Sequence, residues 1–126
     1  MCNDKDFEVI AGDTFAIAAR FIKLGTTADP ILISDITTIV VNVYDASTSP
    51  RSLVDTKNTP DDFTVADVWS DEYQTDQQWI QNEDSTGRNF LYELSLPVAG
   101  KKYQIEAVIT LANDKQHIER WTVRAI

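Results

Sequence analysis

Apolar residues recur at every second position in five separate stretches of this chain, and that alternation most constrains what it can fold into. In "TFAIAARFI", Phe15, Ile17, Ala19 and Phe21 share one face, with Arg20 on the other. In "ITTIVVNVYD", Ile39, Val41 and Val43 alternate with Val40, Asn42 and Tyr44. "NFLYELSLP" sets Phe90, Tyr92, Leu94 and Leu96 against Leu91, Glu93 and Ser95. "KYQIEAVITL" lines up Tyr103, Ile105, Ala107, Ile109 and Leu111 opposite Gln104, Glu106 and Thr110. In "IERWTVRAI", Glu119, Trp121 and Val123 alternate with Arg120, Thr122 and Arg124. Successive side chains of a strand point to opposite faces, so this period makes strands with one buried face. Valine, isoleucine, threonine and aromatics dominate, as a half-buried pleated surface favours.

Turn residues punctuate the strands. Gly12-Asp13, Asp29-Pro30, Ser34-Asp35, Ser49-Pro50 and Thr59-Pro60 mark breaks. Residues 97–100 separate two strands, and Asn113-Asp114 marks a hairpin tip. The predicted strands lie near 7–10, 14–23, 31–33, 37–45, 52–56, 90–96, 102–111 and 116–125. No convincing helix links any strand pair, so parallel crossover units are not expected. The expected fold is all-β: an antiparallel, immunoglobulin-like β-sandwich of about seven strands, with a small barrel as the alternative. A length of 126 residues with 43% hydrophobic content fits one such domain, 1–126.

One long connection, 61–89, breaks the pattern. Val65, Val68, Trp69 and Tyr73 are spaced like one side of a short helix, which predicts a helical turn or two within 64–73. Asp61 and Asp62 are candidates for its N-terminal cap. The segment also concentrates charge. It carries eight carboxylates and one arginine, a net -7 out of -9 for the whole chain. So acidic a chain, with a pI of about 4.4, repels phosphate backbones, and nucleic-acid binding is not expected.

No apolar run reaches the roughly 18–20 residues that span a bilayer, so no membrane partner is expected. "MCNDKDFEVI" lacks the basic start and apolar stretch of a secretory signal. Cys2 is the only cysteine, which excludes an intrachain disulfide and suits folding in a reducing cytoplasm. With one cysteine and one histidine, His117, a zinc site of the usual ligands cannot be assembled. His117 reads as an exposed strand residue, and no glycine-flanked nucleophile accompanies it. "DFEVIAGD" and "NEDSTG" offer clustered oxygens for calcium, but neither has the EF-hand spacing. Paired carboxylates of a glycosidase would need a cleft, and these acids read as a solvated face. No enzyme, cofactor or small-molecule ligand is expected.

Trp69, Tyr73 and Trp79 can be read in three ways: as sugar-stacking platforms, as anchors for a partner protein, or as pins holding the long connection on the sandwich. The candidate partner-binding residues are Trp69, Asp71, Glu72, Tyr73, Trp79 and Trp121. Trp121 enters because the last strand, 121–126, can pair with a neighbour by strand addition. In "EDSTGRNF", Gly87 can supply a positive φ to a turn and Phe90 starts a core face.

"AGDTFAIAARF" followed by "DPILISDITTIVVNVYD" resembles the opening of small β-sandwich domains in phage tail and baseplate proteins. The matching positions are Gly12, Asp13, Thr14, Pro30, Leu32 and Asp35. The later "YQTDQQWIQNEDSTGRNFLYELS" is similar to a second signature of such proteins, at Trp79, Asp84, Gly87, Asn89 and Phe90. "YQIEAVITLANDKQHIERWTV" matches their closing hairpin. The resemblance implies a virion structural protein without catalytic residues, made in the host cytoplasm and docking to other virion proteins and to copies of itself. Baseplate, tail, neck, head fibre and capsid decoration all remain open. A carbohydrate- or peptide-binding sandwich is the alternative class.

Overall fold

A computed structural model describes residues 4–75 and 87–126. The elements are β1 (Asp4–Val9), β2 (Phe15–Ala19), a 3-10 turn (Ile33–Asp35), β3 (Ile36–Asp45), β4 (Ser52–Asn58), α1 (Val65–Val68), β5 (Trp69–Gln74), β6 (Arg88–Leu94), β7 (Lys102–Leu111) and β8 (Gln116–Ala125). Five strands form one sheet in the order β1-β8-β7-β3-β4, and three form the other in the order β2-β6-β5. The two sheets share one core, giving the all-β sandwich that the alternation predicts. No helix among the described residues is long and apolar enough to cross a membrane.

The inner faces are the ones read from the sequence. Ile39, Val41 and Val43 of β3, Tyr103, Ile105, Ala107 and Ile109 of β7, and Trp121, Val123 and Ala125 of β8 are buried from one side. Ile17 and Ala19 of β2, Trp69 of β5 and Phe90 of β6 meet them from the other. Four aromatics bind the sheets together. Phe21 stacks on Trp69 at 5.2 Å, Phe90 meets Phe21 edge-on at 5.9 Å, and Phe90 stacks on Trp121 at 6.2 Å. Each such ring buried contributes about 1.5–3 kcal/mol by area alone.

Four expectations need correction. First, a strand, β5, lies inside the stretch expected to be helical or looped. The helix is only Val65–Val68; from Trp69 the chain is extended, with Trp69 opposite Phe90 and Gln74 opposite Arg88. Backbone pairing with β6 and burial of Trp69 together outweigh a helical spacing shared by only four residues. Second, α1 is not capped by Asp61 or Asp62. The Asp67 carboxylate accepts the Thr64 N–H at 2.9 Å, and Asp62 instead accepts the Asn58 N–H at 2.9 Å. Third, 31–33 is not a strand. Ile22 bridges to Pro30, and the chain then turns through Ile33–Asp35. Fourth, β1 and β8 pair parallel, from Asp4 opposite Arg120 to Val9 opposite Ala125. The whole domain separates them in sequence, so no crossover helix is needed to bring them together.

Five strands overhang three. All seven residues of β4 are exposed, because β2, β6 and β5 do not reach over it. An open groove of about 350 Å³ remains between the sheets there, with Val41, Val43, Val54, Tyr92 and Leu94 among its walls.

Candidate functional site

The acidic connection was the best sequence candidate for a contact surface, and the structure divides its residues sharply. Trp69 is 4% exposed; its indole Nε1–H donates to the Ile31 carbonyl at 2.7 Å, and its ring lies on Phe21. Trp121 is fully buried against Phe90. Neither offers side-chain surface to a partner or to a sugar, and both act as core. Trp79 lies outside the described residues, as do Asp76, Glu83 and Asp84. Asp71, Glu72 and Tyr73 do lie together on β5, an edge strand of the small sheet.

Most of the described acids there hold the backbone in place. Asp71 Oδ1 accepts the Ile33 N–H at 2.7 Å, tying β5 to the 3-10 turn. Asp67 accepts from Thr64, and this hydrogen bond holds its carboxyl below the ordinary carboxylate range. Tyr73 donates its hydroxyl to the Ala28 carbonyl at 2.7 Å, and the Arg20 guanidinium lies 4.8 Å over its ring. Asp61 and Glu72 are simply exposed. The result is an acidic edge along α1 and β5, tied down by the backbone-capping carboxylates of Asp67 and Asp71 and by the arginine–tyrosine stack.

The strand-addition expectation for 121–126 does not survive the sheet order. β8 lies between β1 and β7 and is paired on both sides. Among the described residues, the edges of the sandwich are β1 and β4 in the large sheet, β2 and β5 in the small one. β5 is irregular between Trp69 and Gln74, a bulged geometry that spoils a template for pairing.

A second polar surface escaped the sequence reading. On the outer face of the large sheet, Glu106 is almost buried between two arginines. Arg120 Nε donates to its Oε2 at 2.7 Å, and Arg51 Nη1 to the same oxygen at 3.1 Å. Arg51 also donates to the Gln104 side-chain carbonyl and lies 3.8 Å over the Tyr44 ring. Burial pushes the Glu106 pKa up, but hydrogen bonds from Arg51 and Arg120 outweigh it and hold the carboxyl below its ordinary value. Half of this was readable. A hairpin tip at 113–114 sets Glu106 opposite Arg120, but no pattern points to Arg51.

His117 is half-buried rather than exposed, edge-on to Phe21 at 6.2 Å, and burial lowers its pKa. Among the described residues, no group of three or more His, Cys, Asp or Glu is placed to hold a metal ion. Of the calcium candidates, "NEDSTG" falls mainly outside the described residues. No protein-family model matches the chain, and no curated protein matches it.

Proposed function

We propose that this chain is a non-catalytic docking domain, and more finely a structural part of a bacteriophage virion. The observation that carries the docking reading is the exposed rim at α1 and β5. There the Asp71 carboxylate and the Tyr73 hydroxyl are locked onto neighbouring backbone, and Glu72 between them is exposed on an acidic edge. A pre-organised charged surface binds without first losing side-chain freedom, and complementary charge sets partner choice and association rate. The partner this edge selects is basic.

The virion reading rests on the resemblance. Two of its motif positions lie at strand starts, which supports it: Gly12 to Thr14 immediately before β2, with Gly12 at φ +87°, and Asp35 immediately before β3. An immunoglobulin-like arrangement is supported by the sheet order, with the first strand parallel to the last and a three-stranded sheet β2-β6-β5 opposite.

The test is mass spectrometry on gradient-purified particles from the source virus. The expected result is this chain at a fixed molar ratio to the major capsid protein, the ratio separating a decoration of hundreds of copies from a neck or tail part of few. Absence from the particles overturns the virion reading. The docking surface is tested separately by Glu72→Lys, expected to weaken capture of the particle partner at least several-fold without moving the melting temperature.

A further inference from the structure

We infer that β4 is a self-association edge, and that its partner is β4 of a second copy of this chain, paired antiparallel about Thr56. The backbone hydrogen bonds show which way the strand faces. The Thr56 N–H is held by its neighbour's carboxylate, Asp55 Oδ1, at 3.0 Å, and the Asn58 N–H by Asp62 Oδ2 at 2.9 Å. The Thr59 N–H points the other way, to the Ile39 carbonyl at 3.1 Å. The donors of Thr56 and Asn58 therefore lie along the free edge, and carboxylates occupy both.

A strand guarded in this way resists indiscriminate pairing. It opens only to a strand that brings a cation for the displaced carboxylate. The sequence "DTK", Asp55-Thr56-Lys57, brings its own. In an antiparallel pair centred on Thr56, Thr56 faces Thr56, and Asp55 of each copy faces Lys57 of the other. Directly opposite residues share a face, so both charge pairs form side by side. In the single chain Lys57 reaches Asp55 only at 3.9 Å, and both side chains are about half exposed, so little is lost in the exchange. The register also sets Val54, 46% exposed, beside the partner's Asn58. Asp55 and Lys57 sit opposite Val43 and Val41 on the inner face, so the open grooves of the two copies would adjoin across the seam.

This inference goes beyond the docking reading at β5, and its test uses only the isolated chain. Sedimentation equilibrium across a concentration series to millimolar should show the mass rising from 14.2 kDa toward twice that value. Asp55→Lys sets lysine against lysine at both ends of the pair, and Lys57→Asp sets aspartate against aspartate. Each variant alone should dissociate at least tenfold more readily than the wild type. An equimolar mixture of the two restores opposite charges at every contact and should recover the dimer, which a folding defect cannot do. A wild type that stays monomeric, a dimer untouched by Asp55→Lys, or a mixture that stays monomeric each overturns the inference. A monomer that still co-sediments with particles overturns β4 pairing and leaves the virion reading standing.

Discussion

The side chain of Asn89 clasps the backbone of Phe21 at both ends: its Oδ1 accepts the Phe21 N–H at 2.8 Å and its Nδ2 donates to the Phe21 carbonyl at 2.9 Å. Sixty-eight residues separate them, and Asn89 is fully buried. The amide does what a paired strand would do, extending the hold of β6 on the chain just beyond β2. Phe21 is thereby aimed at Trp69, Phe90 and His117.

Asn89→Leu keeps the branched shape in a somewhat larger side chain and removes both bonds. The Phe21 carbonyl retains the Ile31 N–H at 3.2 Å, but its own N–H is left buried without a partner. The expected loss is about 2–3 kcal/mol, read as a lower urea midpoint at an unchanged slope. A midpoint within error of wild type would show that the clasp contributes nothing net.

Gly87 has φ +86°, and a Cβ placed there would lie 2.9 Å from the Gln74 carbonyl oxygen and 3.1 Å from the Tyr73 Cβ. Gly87→Ala meets both a backbone penalty and a contact with main chain that cannot swing aside. About 2–4 kcal/mol of destabilisation is expected. Because the clash falls on β5, hydrogen exchange should quicken first at residues 69–74; uniform quickening across both sheets would contradict this.

Trp69→Phe keeps most of the ring but deletes the bond to the Ile31 carbonyl. It should cost about 1–3 kcal/mol, and Trp69→Ala about 3–5 kcal/mol. Thermal melts of the two variants check the order. Equal, near-zero effects would return Trp69 to the surface and reopen a role in binding.

Glu106 contributes to the acid limb of the stability curve. Its folded pKa lies below the ordinary value of 4.5, because the hydrogen bonds from Arg51 and Arg120 overcome burial. The unfolded chain therefore takes up the proton first as pH falls. The stabilisation is fully present above about pH 4.5 and drains away as pH drops through the folded pKa. Glu106→Gln should be less stable by about 1–2 kcal/mol at pH 7, and the gap from wild type should narrow below pH 4.5. Asp45 and Asp67, also held low, titrate in both proteins and cancel in the difference. A gap that stays constant from pH 7 to 3 would rule out the proton-linked network.

Period-two alternation by itself determined that β3, β6, β7 and β8 are strands, and which side of each turns inward. Turn chemistry by itself placed the hairpin tip, where Asp114 takes φ 65° and Leu111 pairs with Lys115. It also found the positive φ of Gly87. These are local properties: a pleat points alternate side chains oppositely, and a tight turn needs particular residues, whatever lies far away. Tertiary structure alone decided the rest. It drew Trp69–Gln74 into β5, because β6 offered a ladder and the core offered Trp69 a place. It enclosed β8 between β1 and β7, so Trp121 became core and not a contact. It brought Arg51 to Glu106 across 55 residues, and left β4 uncovered because three strands cannot shield five. Pairing partners, and which strand is left at an edge, depend on contacts between segments far apart in the chain, and no window of the sequence contains them.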